Sequence, residues 1–213
     1  IYPDPSFAVY PLAVQAVGAV GIAVPLKDDL TIDLGAIAQK ITAKTRLIFI
    51  ANPNNPTGTY VCDDEFSAFM DEVPQGVIVC MDEAYAEYVQ ATDYPDTLQY
   101  VREGRAVIGL RTFSKIYGLA GLRIGYGFAP PEIIGYLERV RQPFNVNSLA
   151  QAAALAAIDD KGHVEKSREV NEAGLKYLYS ELEKLSLEYV ETEANFFLIK
   201  VGDGRGLYDA LLK

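Results

Sequence analysis

Short apolar runs that alternate with helical patterns constrain the fold of this chain more than any other feature. Three runs are bounded by turn residues and have the length of buried parallel strands: 46–52 (RLIFIAN), 76–85 (GVIVCMDEAY) and 105–112 (RAVIGLRT). Residues 124–129 (IGYGFA) predict a fourth strand. Helical patterns accompany these runs at 63–73, 132–140 and 147–158. The alternation predicts right-handed crossovers and an α/β fold in which helices sandwich a mostly parallel sheet.

The most apolar stretch, residues 11–26 (PLAVQAVGAVGIAVPL), predicts a helix followed by a buried strand. It is too short to span a bilayer, and Gln15, Gly18 and Gly21 interrupt it. We therefore expect no membrane association for this segment.

The pattern changes after about residue 160, where a long charged amphipathic helix is predicted over 163–185. Its apolar residues lie near one stripe: Val164, Val170, Leu175, Leu178, Leu182 and Leu185. Two short strand candidates follow, at 187–191 and 195–201. We interpret residues 1–160 as a large domain and residues 161–213 as the beginning of a small α+β C-terminal domain. Because the sequence starts at Ile1 and stops within a helical pattern, we expect a fragment or ends that are not included.

The net negative charge of the chain argues against one class of binding partner, nucleic acid. The chain of 213 residues has a formal net charge of −10. Sequence-independent binding of nucleic acid requires a basic face, so we expect no nucleic-acid partner. A local basic pocket for a small anion remains compatible with this balance.

Cysteine and histidine are too few for several kinds of site. The two cysteines, Cys62 and Cys80, do not form a disulfide framework, which favours a reducing compartment and a cytoplasmic protein. His163 is the single histidine and lies in a polar helical stretch, where we expect a solvated surface side chain. We therefore expect neither a metal site nor a catalytic triad of serine and histidine.

Polar side chains follow each of the three predicted parallel strands, and the carboxyl ends of such strands meet at one edge of the sheet. The first strand leads into PNNPTG (53–58), which contains Asn55. The second ends in Asp82, Glu83 and Tyr85, and the third in Thr112, Ser114 and Lys115. Three separate loops thus bring an amide, a carboxylate with a phenol, and an amine with hydroxyls to the same edge.

Each of these signals also has a simpler interpretation. NPNNPTG is compatible with a tight turn alone, and Asp82 with a helix cap. Lys115 could be a solvated surface lysine, and Arg123 an ion-pairing surface arginine. The glycines around residues 118–127 are compatible with close packing, and they match neither standard phosphate-binding fingerprint. Only their convergence at one edge favours a functional site.

The set of side chains fits the needs of pyridoxal 5′-phosphate. A lysine amine can form a Schiff base with an aldehyde cofactor, and a carboxylate such as Asp82 can keep the ring nitrogen protonated. Thr112, Ser114 and Arg123 can give the cofactor phosphate charge-assisted hydrogen bonds. Two further groups, on Asn55 and Tyr85, are suited to bind the 3′-oxygen of the ring.

Three segments in this order, NPNNPTG, DEAY and TFSKIYGLAGLRIGYG, resemble the fold-type-I pyridoxal-phosphate aminotransferases of class I and II. The lysine segment and RQPFNVNSLAQAAALAA (141–157) are most similar to the histidinol-phosphate aminotransferases. The resemblance implies that Lys115 is the Schiff-base lysine and moves the proton between substrate and cofactor. It implies that Asp82 pairs with the ring nitrogen. It places Phe7 of PDPSFAVY (3–10) against the cofactor ring, where the alternative is a core phenylalanine.

The function that the resemblance implies is transfer of an amino group from L-histidinol phosphate to 2-oxoglutarate, giving imidazole acetol phosphate and L-glutamate in histidine biosynthesis. The partners would be a small amino donor and a 2-oxo acid, and the resemblance also implies a homodimer. Family members carry segments before and after this sequence that bind the partner subunit's cofactor and the substrate, so the substrate is less readable than the cofactor.

Other functions stay open at this stage. Another fold-type-I pyridoxal-phosphate enzyme, such as an aromatic aminotransferase or a decarboxylase of a phosphorylated amino acid, would share the same cofactor residues. A non-catalytic α/β binding scaffold is the alternative of a different class, although the presence of both Lys115 and Asp82 argues against it. A nicotinamide-dependent dehydrogenase lacks its glycine fingerprint here.

Overall fold

Eight β-strands and eight α-helices make up the computed structural model, which describes all residues from Ile1 to Lys213. The strands are β1 (Tyr2–Asp4), β2 (Ala23–Pro25), β3 (Leu47–Ala51), β4 (Ile78–Asp82), β5 (Val107–Thr112), β6 (Gly125–Phe128), β7 (Glu188–Tyr189) and β8 (Ile199–Lys200). The helices are α1 (Val9–Ala16), α2 (Leu34–Gln39), α3 (Asp63–Glu72), α4 (Thr97–Arg102), α5 (Pro131–Val140), α6 (Ser148–Ile158), α7 (Lys161–Lys184) and α8 (Gly204–Leu211).

The central sheet has four strands in the order β3-β4-β5-β6. β3, β4 and β5 are parallel, whereas β6 pairs with β5 in the antiparallel direction. Two smaller sheets pair β1 with β2 in parallel and β7 with β8 in antiparallel. The main chain of Ile1 also bonds to Leu47 and Phe49, which attaches the first sheet to β3. The predicted α/β fold with a mostly parallel sheet is confirmed.

The register of the parallel strands aligns their carboxyl ends. Ala51 at the end of β3 pairs with Asp82 at the end of β4, and Asp82 pairs with Leu110, two residues before the end of β5. Paired residues share a face of the sheet, so Asp82, Leu110 and Thr112 fall on one face. Glu83 and Arg111 fall on the other by the same alternation.

The main core lies between one face of the sheet and helices α2, α3 and α4. The sheet contributes Ile48, Ile50, Val79, Met81 and Val107, which alternate along their strands as one face of a pleated sheet requires. The helices contribute Leu34, Ile37, Phe66, Phe69, Met70 and Tyr100. Burial of apolar side chains at this interface supplies the main stabilisation of the sheet.

Helix α7 has the predicted position, but half of its predicted apolar stripe is exposed. Leu182 is buried, whereas Val170, Leu178 and Leu185 are exposed. The helix contacts the rest of the chain through polar side chains that bond to backbone carbonyls, such as Arg168 Nε to Glu87, and through the ring of Tyr179, which packs against Tyr189 and Phe197. None of the helices has both the length and the apolar character needed to cross a membrane.

Candidate active site

Two adjoining cavities lie at the carboxyl ends of β3, β4 and β5, and all eight residues singled out in the sequence line them. The smaller, about 90 Å³, is bordered by Phe7, Asn55, Asp82, Tyr85 and Lys115. The larger, about 380 Å³, is bordered by Phe7, Asp82, Thr112, Ser114, Lys115 and Arg123. Asp82, Lys115 and Phe7 belong to both, so the two cavities form one continuous site.

Lys115 lies in the loop after β5 and faces the phenol of Tyr85. Its Nζ is 5.0 Å from the centre of the Tyr85 ring, a cation–π distance. The Tyr85 hydroxyl accepts a hydrogen bond of 3.3 Å from Nδ2 of Asn55. Amine, phenol and amide from three loops therefore meet, as the sequence predicted.

Asp82 ends β4 and points into the site with both carboxylate oxygens engaged. Oδ2 accepts a hydrogen bond of 2.9 Å from the Tyr10 hydroxyl, and Oδ1 accepts one of 3.3 Å from the amide of Ala84. Burial raises the pKa of Asp82, and the Tyr10 bond and the charge on Lys115 oppose that rise. A positive charge next to Asp82 would therefore stabilise the ionised carboxylate.

A third group of polar side chains, Thr112, Ser114 and Arg123, lies at the other end of the site. Nη1 of Arg123 is 3.3 Å from Oγ of Ser114 and donates a bond of 2.6 Å to the carbonyl of Ala120. The amide of Ser114 donates to the Thr112 hydroxyl at 3.0 Å. Arg123 is exposed, so its charge faces the open part of the larger cavity. Two hydroxyls and a guanidinium are a donor set for a phosphate.

Phe7 borders both cavities and is 40% exposed. The alternative of a core phenylalanine is therefore wrong. Its ring and that of Tyr10 pack in a T-shaped arrangement, with the ring centres 5.8 Å apart.

Tyr10 is the site residue that sequence reasoning missed. It is buried, and its ring stacks on Phe49 of β3 with the centres 4.8 Å apart. Tyr10 follows Phe7 by three residues at the start of α1, a helical spacing that brings two side chains to the same face. That spacing is the only local signal that could have identified it.

The segment after β7 folds back onto the loops that carry Asn55 and Tyr85. The carbonyl of Gly58 accepts a bond of 3.0 Å from the amide of Glu193 and one of 3.3 Å from the Thr192 hydroxyl. The ring of Phe196 packs edge-on against Tyr85 with centres 4.9 Å apart. The loop residues of the site therefore have a second layer of support from residues 192–196.

His163 on α7 is exposed, as predicted, but it also makes a specific contact. Its Nε2 lies 2.9 Å from the carbonyl of Ile116, the residue after Lys115. A carbonyl only accepts hydrogen bonds, so this contact requires the proton on Nε2. No local pattern in the sequence indicates that α7 reaches the lysine loop.

The whole length of the chain matches one known protein family. Residues 1–213 match the family model for aminotransferase class I and II. The chain belongs to the class I and II aminotransferases. This confirms the resemblance that the lysine segment and the two shorter motifs indicated.

Individual aminotransferases are similar to this chain in sequence and in structure. The histidinol-phosphate aminotransferase of Moorella thermoacetica is 55% identical over 100% of this chain and 55% of its own length. Histidinol-phosphate aminotransferase 2 of Ralstonia nicotianae is 50% identical over 95% of this chain and 54% of its own length. The histidinol-phosphate aminotransferase of Sinorhizobium meliloti, in complex with pyridoxal-5′-phosphate, has a TM-score of 0.90 at 25% identity. The alignment with it covers 99% of this chain and 57% of that one.

The matches cover nearly all of this aminotransferase chain but only part of each relative. The chain spans about half the length of the curated relatives it matches. The fold and the family are shown for the residues described here.

Proposed function

We propose that this chain binds pyridoxal 5′-phosphate and forms the cofactor-binding part of an aminotransferase of histidine biosynthesis. The reaction is transfer of an amino group from L-histidinol phosphate to 2-oxoglutarate, which gives imidazole acetol phosphate and L-glutamate. The observation that carries the proposal is the meeting of Lys115, Asp82 and Arg123 around one continuous site.

The residues present fit the cofactor at each of its polar groups. An amine, a carboxylate and a phosphate-binding set occupy separate parts of the site, and the exposed ring of Phe7 borders all of it. When bound, pyridoxal phosphate supplies an aldehyde that reacts with amines and a ring that takes up electrons. Lys115 is the only lysine that borders the site and is the proposed covalent attachment point.

Asp82 is proposed to hold the cofactor by its ring nitrogen. Its carboxylate is partly buried and is oriented by Tyr10 and by the amide of Ala84, so a protonated ring nitrogen would find a fixed counter-charge. The charge of such a partner favours the ionised form of Asp82, which burial alone disfavours. The ring would thereby stay protonated, which electron uptake requires.

Asn55 and Tyr85 are proposed to bind the 3′-oxygen, and Thr112, Ser114 and Arg123 the phosphate. The 3.3 Å bond between the Asn55 amide and the Tyr85 hydroxyl already places both groups side by side. With the cofactor bound, the amine of Lys115 would lie where it could carry a proton to and from the Cα of the amino donor. This role places Lys115 in the chemical step as well as in binding.

The division of the chain and its assembly are proposed on other grounds. We propose that residues 1–160 form the cofactor domain and that residues 161–213 begin the small domain, because the central sheet lies entirely within the first range. A homodimer in the cytoplasm is proposed from the family resemblance and from the two free cysteines. Light scattering of the purified protein tests the dimer.

The function is tested by measuring L-glutamate formed from 2-oxoglutarate with different amino donors and added pyridoxal phosphate. We expect L-histidinol phosphate to give a kcat/KM at least about a hundredfold above that of L-phenylalanine, because a phosphate allows charge-assisted recognition. Lys115→Ala is expected to abolish transfer. Preference for L-phenylalanine would replace the proposed substrate with an aromatic one, and no transfer from any donor would contradict the proposed activity.

A further inference from the structure

An ion pair joins Glu83, the residue after β4, to Arg111 of β5 on the face of the sheet opposite Asp82. Nε of Arg111 lies 2.8 Å from Oε2 of Glu83. The Glu83 side chain is fully buried, whereas that of Arg111 is 31% exposed. The second carboxylate oxygen of Glu83 accepts a bond of 2.6 Å from the Thr97 hydroxyl at the start of α4. Both oxygens of this buried carboxylate are therefore satisfied by side chains.

The position of the pair matters because the backbone ladder between the two strands ends at this point. The last bond between them runs from the amide of Glu83 to the carbonyl of Leu110, at 2.8 Å. Beyond it, β5 continues in pairing with β6 as far as Thr112 and Gly125. The Glu83–Arg111 ion pair is then the next direct bond between the end of β4 and the end of β5.

Arg111 is also held from the side of β6. Its guanidinium lies over the ring of Phe128, 5.4 Å from the ring centre. The same ring covers Gly109, where any side chain would overlap it. Arg111 is therefore confined between a carboxylate on one neighbouring strand and an aromatic ring on the other.

Glu83 and Arg111 are each adjacent in sequence to a residue that is proposed to bind one end of the cofactor. Glu83 follows Asp82, which is proposed to bind the ring nitrogen, and Arg111 precedes Thr112, which begins the proposed phosphate-binding set. The bond between Glu83 and Arg111 therefore links the ring-binding and phosphate-binding parts of the proposed site.

We propose that Glu83 and Arg111 are positioning residues that hold Asp82 and the Thr112–Lys115 loop at the spacing of one pyridoxal phosphate molecule. The proposal rests on the proposed function, since it concerns the same site. Its consequence is a chelate effect: the ring and the phosphate bind together more tightly than either alone only while the spacing is kept.

The test compares three probes by titration calorimetry: pyridoxal 5′-phosphate, pyridoxal without the phosphate, and inorganic phosphate. In Glu83→Gln the amide keeps the shape and the contact with Thr97 but loses the charge that holds Arg111. We expect the Kd of pyridoxal phosphate to rise at least about tenfold, and those of the two partial probes to change less than about threefold. Parallel weakening of all three probes, or an unchanged Kd for pyridoxal phosphate, would overturn the proposal.

A second variant covers the case in which Glu83→Gln does not fold, because leaving one buried charge without its partner is strongly destabilising. In Glu83→Gln/Arg111→Gln no unpaired charge remains, and we expect wild-type stability together with the same selective loss for pyridoxal phosphate. Wild-type affinity in this double variant would overturn the proposal.

A matched control and the wild type complete the design. Arg105, which precedes β5 at the end away from the site, forms an ion pair of 3.1 Å with Asp71. Asp71→Asn removes this pair and should change none of the three affinities. A wild-type protein that does not bind pyridoxal phosphate would overturn the proposed function itself, whereas tight binding by both wild type and Glu83→Gln would overturn only the role of the pair.

Discussion

The hydroxyl of Tyr10 donates a hydrogen bond of 2.9 Å to Oδ2 of Asp82, joining two residues 72 positions apart in the chain. The Tyr10 ring lies nearly parallel to that of Phe49, with an angle of 8° between the planes, so the hydroxyl is held in place. This bond favours the ionised form of a carboxylate whose pKa burial raises. Tyr10 would therefore act on the proposed cofactor through Asp82.

Replacing Tyr10 by phenylalanine tests that relationship. Tyr10→Phe keeps the stacked ring and removes only the donor to Asp82. We expect the Kd of pyridoxal phosphate to rise about tenfold, since a hydrogen bond to a charged group contributes about 1.5–3 kcal/mol. Tyr136→Phe removes the hydroxyl of an exposed tyrosine on α5 and should leave the affinity unchanged. Equal affinity of Tyr10→Phe and wild type would show that Asp82 does not depend on this bond.

Asp82 predicts a pH dependence of stability in the cofactor-free protein. Burial raises its folded-state pKa above the ordinary value of 3.8. The folded state therefore holds this proton more tightly than the unfolded state, and the contribution of Asp82 to stability falls as pH rises above 3.8. The fall ends once the pH exceeds the folded-state pKa.

Asp82→Asn lacks this titration and provides the comparison. We expect the free energy of unfolding of wild type to decrease relative to that of Asp82→Asn as the pH rises above 3.8, and the difference to level off above the folded-state pKa of Asp82. Urea unfolding at a series of pH values measures the difference. Saturation with pyridoxal phosphate should remove the decrease, because a cationic ring nitrogen stabilises the carboxylate. A difference that grows in favour of wild type with rising pH, without cofactor, would contradict this account of Asp82.

Arg123 is expected to contribute to cofactor affinity through the phosphate alone. Arg123→Gln should raise the Kd of pyridoxal phosphate by about 10- to 100-fold, because it removes a charge-assisted bond, and should leave the Kd of pyridoxal unchanged. Residue 123 has a φ of 55°, which is equally unfavourable for arginine and glutamine. The substitution therefore does not change the backbone strain at this position. Arg205→Gln, on exposed α8, is the control. Equal losses for both probes would place Arg123 away from the phosphate.

Gly58 is expected to tolerate no side chain, for two separable reasons. Its φ of 73° favours glycine, and a methyl group there would overlap the Thr192 side chain. Gly76 has a φ of 87° with open space around it, so Gly76→Ala measures the backbone cost alone, about 1–2 kcal/mol.

Gly58→Ala should therefore lower the free energy of unfolding by about 1–3 kcal/mol more than Gly76→Ala does. It should also increase hydrogen exchange over residues 192–196, because Thr192 and Glu193 bond to the Gly58 carbonyl. Denaturant unfolding and hydrogen exchange of both variants supply the comparison. If the two alanine variants lost equal stability, the docking of Thr192 on this loop would be unsupported.

The strands and the position of the candidate site were predictable because their signals are local. A strand buried on both faces must be apolar throughout, so β3, β4 and β5 stand out, and the residues that follow them must meet at one edge. The direction of β6 was not predictable, because GYGF has the same pattern in a parallel or an antiparallel strand.

The long-range polar contacts could not be read from the sequence at all. Tyr10 with Asp82, and Glu83 with Arg111, join residues whose separation follows no helical or strand period. Their partners are set by how the elements pack, which the local pattern does not encode. The apolar stripe of α7 is a second example. Its helical period was visible in the sequence, but the period alone did not show which of its residues are covered by other parts of the chain.

The most direct test of the central claim is to locate the covalent attachment of pyridoxal phosphate. The protein is incubated with the cofactor, reduced with borohydride, digested, and analysed by mass spectrometry. We expect the added mass to lie on the peptide that contains Lys115. Lys115→Ala should abolish it, whereas Lys44→Ala, which alters an exposed lysine, should not. A label spread over surface lysines, or one that persists in Lys115→Ala, would contradict the proposed role of Lys115 and the function built on it.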